Sequence, residues 1–102
     1  MNMNIETQKS LNEIYEGLTN GLSGFREQDL APGCKRVIVC SENVTLTFDF
    51  ISKNSGLSAT DSVTVSYADQ YGSSRGVINS SEQAIQMVQE YIPADPNFYL
   101  QL

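Results

Sequence analysis

The sequence predicts an α+β domain, a two-layer sandwich with one antiparallel sheet and both helices on one face. Three observations predict it. Apolar residues recur at helical spacing near each end of the chain, at Leu11, Ile14, Tyr15, Leu18 and Leu22, and at Ala84, Ile85, Val88, Tyr91 and Ile92. Between them, VTLTFDF (Val44 to Phe50) alternates apolar and polar residues at the period of a strand. Short turn-forming stretches separate the strand-like runs, and strands grouped between helices read as α+β. The expected order is α-β-β-β-(β)-α, a three- to four-stranded meander.

The first helix is predicted from Asn4 to about Asn20, with Glu6 in its first turn. Gly17 weakens its interior, and Asn20-Gly21 is a stop. Leu22 to Gly33 reads as irregular, with room for a short helical turn around Arg26 to Leu30, with Phe25 and Leu30 as anchors and Ala31-Pro32-Gly33 as a break. The run KRVIVC, Lys35 to Cys40, is apolar on both faces, which suits a covered or central strand. Ser41-Glu42-Asn43 makes a hairpin turn, and Val44 to Lys53 forms the next strand. Ser62 to Ala68 is a third, and Arg75 to Ile78 a short edge strand. Ser80 is the expected N-cap of the last helix, with Gln83 completing a capping box and Pro93 ending the helix.

The 102 residues suit one domain, residues 1–102, ending in an apolar tail, residues 93–102. A chain this long buries roughly 65% of its unfolded surface, enough for a core without staples. Val44, Leu46, Phe48, Phe50, Val63, Val65 and Tyr67 are the expected sheet contribution to it. The other sheet face then carries Thr45, Thr47, Asp49, Thr64 and Ser66 and is open to water. It is either an ordinary solvated face or a flat, polar docking surface. Ile51 and the second side of KRVIVC would add apolar patches there.

Several chemistries are disfavoured. The chain has no histidine, which removes Ser-His-Asp and Cys-His arrangements and histidine-based zinc sites. Its two cysteines, Cys34 and Cys40, have neither zinc nor redox spacing. Cys40 reads as a buried strand residue, and Cys34, after Pro-Gly, as the more exposed thiol. Carboxylate pairs are conceivable from Glu42 with Asp49, or Asp61 with Asp69, but no calcium-loop spacing is present. YGSSRG, Tyr71 to Gly76, has an anion-binding composition without the Walker pattern, and reads as a turn. No catalytic residue, metal ligand or cofactor is assigned, and the chain is expected not to be an enzyme.

The formal charge is −6, and the only basic doublet is Lys35-Arg36, so direct nucleic-acid binding is not expected. The opening MNMNIETQKSLNEIYEG lacks the features of a signal peptide, and no apolar run reaches membrane-helix length. A cytoplasmic protein is expected. Phe98, Tyr99, Leu100 and Leu102 make the tail apolar. Three fates fit it: closing its own core, joining the sheet of a second copy, or docking on another protein.

These features point to a small acidic protein that acts without catalysis, docking on a partner protein and occluding or modulating it. Phage-encoded inhibitors of host defence and immunity proteins share this general character, which is a likeness of class and not of motif. In this reading Glu42, Asp49, Asp61 and Asp69 face a basic surface on the partner. The alternative is a homodimeric assembly domain using the open sheet face and the tail.

Overall fold

The computed structural model describes residues 11–22, 24–56 and 60–92. Helix α1 spans Leu11–Asn20. Five strands follow: β1 Arg26–Ala31, β2 Cys34–Cys40, β3 Thr45–Ile51, β4 Ser62–Asp69 and β5 Gly72–Val77. Helix α2, Ser81–Tyr91, closes the order. The strands form one antiparallel sheet in sequence order, β1-β2-β3-β4-β5. The fold is the expected α+β sandwich with one more strand than expected. Residues 1–10, including the predicted start of the first helix at Asn4, lie outside the described residues, as does the tail, residues 93–102.

The additional strand is β1, within the segment that reads as irregular, and it replaces the short helical turn read around Arg26 to Leu30. Its sequence, REQDLA, hides the strand because the strand is at the sheet edge and polar on both sides. Arg26 and Gln28 face open water, while Glu27 and Asp29 face the helix side. Edge strands are commonly charged in this way. Pro32-Gly33, read as a break, is the hairpin turn to β2. Gly33 has φ +81°, the value a type II turn needs at its third residue. The last strand also starts earlier than expected, at Gly72 rather than Arg75. Small residues carry no alternation that would reveal it.

One apolar cluster fills the space between the layers. Val37, Val39, Leu46, Phe48, Phe50, Val63 and Val65 rise from the sheet to meet Ile14 and Leu18 of α1 and Ala84 and Val88 of α2. Ile78 and Ile92, just outside α2, seal its ends. Val44 and Tyr67 are half-buried at the margin. Among the described residues no polar or charged side chain is buried, so apolar burial holds the layers together.

The helices pack on each other as well as on the sheet. Gly17 allows the approach: a β-carbon there would sit 2.4 Å from Ser81 Oγ and 2.5 Å from Ser81 Cβ. Ser80 caps α2, its Oγ accepting from the Gln83 amide at 3.1 Å. The Gln83 side chain reaches one residue further than a capping box requires. Its Oε1 accepts from the Asn79 amide at 2.8 Å.

Candidate functional site

Strand alternation and register assign the open face of the sheet. Cross-strand partners share a face, and residues flanking a buried one point away from the core. One row runs Arg26, Ile38, Thr47, Ser66, Arg75 across all five strands. The next runs Gln28, Arg36, Asp49, Thr64, Val77. Cys40, Thr45, Ala68 and Ser73 form a third. Thr45, Thr47, Asp49, Thr64 and Ser66 therefore share one face, as the alternation predicts.

The charge of this face is unlike that of the chain. All three arginines, Arg26, Arg36 and Arg75, lie on it, with Asp49 as its only acid among the described residues. Among the described residues it holds no lysine and no glutamate. Asp49 is already matched: Arg36 Nε and Nη2 donate to its two carboxylate oxygens at 2.7 and 3.1 Å. That bidentate bond holds the Arg36 guanidinium above its usual pKa. Arg26 and Arg75 have no partner among the described residues and are both exposed. They stand at opposite edges of the face, four strand spacings or about 19 Å apart.

The remaining described acids lie elsewhere. Glu13 and Glu16 are on α1, Glu27 and Asp29 on the helix side of β1, and Glu82 and Glu90 on α2. Glu42 sits exposed in the β2–β3 turn. Asp61 accepts from the Lys53 amide at 2.8 Å, anchoring the β3–β4 loop. Asp69 organises the β4–β5 turn, accepting from the Tyr71 and Gly72 amides at 2.8 and 3.0 Å and from the Tyr67 hydroxyl at 2.8 Å. The Tyr67 bond, then the amides, lower the Asp69 pKa, and the same bond raises that of Tyr67. Glu42, Asp49, Asp61 and Asp69 thus form no common acidic surface. Phe98, Tyr99 and Leu100 lie outside the described residues.

A second polar cluster lies across the sheet, where β1 meets α1. The Tyr15 hydroxyl donates to Glu27, and Lys35 Nζ bridges Glu27 at 3.0 Å and Asp29 at 3.3 Å. The Tyr15 bond, then the Lys35 bond, hold Glu27 below its usual pKa; the same contacts raise Tyr15 and Lys35. Each charge is consumed by a neighbour, so the cluster ties an edge strand to a helix.

Beside it, a recess of about 460 Å³ follows the β1–β2 turn, lined by Asp29 to Lys35. Cys34 borders it, but at 1% exposure the residue is buried, against the expectation of an exposed thiol. The Ser52 amide donates to its sulfur at 3.2 Å. Burial follows from its place at the start of β2, beneath Ser52, rather than in a loop. Cys40 is the half-exposed one. A thiol reagent added to the native protein is expected to label Cys40 first and Cys34 only on opening. Peptide mapping of a labelling time course checks the order.

Among the described residues no three metal-ligating side chains converge, and no helix is long and apolar enough to cross a membrane. The arginines were visible in the sequence. Their common face was not, because it depends on β1, whose strand pattern is hidden, and on the register of β5. No family model, curated protein or solved structure matches this chain.

Proposed function

We propose that this protein is a binding module that docks its open sheet face on a partner protein and acts by occupancy, occluding or modulating that partner. The observation that carries this is the segregation of charge. A chain of formal charge −6 gathers all its arginines on one flat, hydroxyl-rich face and leaves two of them unpaired among the described residues. Arginine is enriched and lysine and glutamate are depleted at protein interfaces, and this face has that composition. Ile38, Ile51 and Val77 add apolar contact, Val77 being 62% exposed. The partner surface that fits is acidic, which reverses the expectation of a basic one. The unpaired thiols Cys34 and Cys40 fit a reducing, cytosolic setting.

The test is affinity capture from the source cell's lysate after nuclease treatment, comparing three forms. A stoichiometric partner should be retained by the wild type and by a helix-side control, E82Q/E90Q. Retention should fall at least about tenfold for R26E/R75E, since reversing two rim charges places like charges against the partner. Equal retention by R26E/R75E, or loss in the control alone, refutes the open face as the docking surface.

A further inference from the structure

The two edges of the sheet are built differently. β1 is guarded by Lys35, Glu27 and Asp29, locked in ion pairs on its helix side. β5, GSSRGV, has no such guard among the described residues and is exposed along its whole length. Its ladder fixes which backbone groups are satisfied. The Ile78 amide donates to the Val63 carbonyl at 2.8 Å. Bonded and non-bonded pairs alternate in an antiparallel ladder. Gly76 with Val65 and Ser74 with Tyr67 are then bonded pairs, so Ser73, Arg75 and Val77 turn their N–H and C=O groups outward. Among the described residues the Val77 carbonyl accepts from Gln83 Nε2 at 3.3 Å, while the Val77 amide and the outward groups of Ser73 and Arg75 have no partner.

The side chains of β5 shape the space beside this edge. On the helix side it presents only Gly72, Ser74 and Gly76. A β-carbon on Gly76 would meet nothing nearer than Val65 Cγ1 at 3.8 Å. Bulky side chains of an added strand therefore have room there, against Val65 and the Tyr67–Tyr91 pair, whose rings lie 4.9 Å apart and leave Tyr91 41% exposed. On the open side an added strand meets the guanidinium of Arg75, which has no partner among the described residues.

We infer that β5 accepts an extended segment of a partner protein, bearing an acidic side chain opposite Arg75 and large apolar side chains opposite Ser74 and Gly76. The added strand makes main-chain bonds to Ser73, Arg75 and the Val77 amide, and the Arg75 pair selects its charge. This deepens the reading of the open face as protein-binding, since Arg75 belongs to both.

The probe is a blocked pentapeptide, threonine-phenylalanine-glutamate-valine-threonine, titrated into the full chain and followed by backbone NMR. Amide shifts and added exchange protection are expected at Ser73, Arg75 and Val77. A lysine-centred peptide should bind roughly two- to fivefold more weakly, the scale of an exposed ion pair, and R75E should reverse the preference. S73P should lose binding while keeping its melting temperature, because that amide does not serve the β4–β5 ladder. Equal binding of the two peptides, or perturbation away from β5, overturns the inference. So does protection of the three amides before any peptide is added, released by deleting residues 93–102, which would mean that the chain fills its own edge. Failure here with R26E/R75E still losing its captured partner removes only the strand-addition step.

Discussion

Phe48→Ala is expected to remove a large share of the protein's stability. Phe48 is fully buried at the centre of β3, the middle strand of five, and is the largest fully buried side chain. Truncating a buried phenylalanine costs about 3–5 kcal/mol, because transfer free energy is lost and the cavity closes only in part. The whole stability of such a domain is about 5–15 kcal/mol. For a chain near 100 residues each kcal/mol moves the melting temperature by roughly 4–8 °C, so a fall of roughly 12–40 °C is expected in a thermal melt. Its neighbour supplies the contrast. Thr47 points to the open face, and Thr47→Ala should move stability by no more than about 1 kcal/mol. Similar losses from both substitutions would contradict the assignment of the two faces.

The second large effect is at Gly17. In an isolated helix, alanine at this position would be favoured by about 1 kcal/mol. Here the added methyl would meet Ser81 Cβ at 2.5 Å, a contact that no side-chain rotation relieves. The helices must separate, and overpacking of this kind costs about 1–3 kcal/mol. Gly17→Ala should therefore destabilise despite its propensity gain, and Gly17→Val more so. Combining Gly17→Ala with Ser81→Gly removes the obstruction. A denaturant melt of the double mutant should show positive coupling, on the order of 0.5–3 kcal/mol for residues in contact. Gly21→Ala should be milder, since its nearest neighbour, at 2.5 Å, is the terminal Cδ1 of Ile85. A stabilised Gly17→Ala would show that the crossing is looser than described.

Legibility in the sequence follows local physics. Both helical stripes and the alternation of β3 and β4 are carried by single segments, and within the described residues those elements fall inside or close to the expected ranges. β1 escaped because an edge strand exposed on both sides needs no apolar residue. Gly17 reads locally as a weak point in a helix, yet its role is set by Ser81, far along the chain. The five polar residues of the open face were legible from parity alone. Its arginines were not, since Arg26, Arg36 and Arg75 come together only through pairing across all five strands. The acids misled because their number is evident in composition, while their separate duties, such as Asp61 on Lys53 and Asp69 on the hairpin turn, arise only in the fold.

The separation of arginines from acids gives the molecule a permanent electric dipole as well as a net charge. The two act differently with distance. The negative monopole repels an acidic partner from afar, while the dipole turns the sheet face towards it at close range. Added salt screens exposed charges over about 8–10 Å at physiological ionic strength. Moderate salt should therefore weaken the long-range repulsion before it weakens the contacts of the docked state. Association with an acidic partner should then pass through a maximum as ionic strength rises, instead of falling throughout as it does for two oppositely charged proteins.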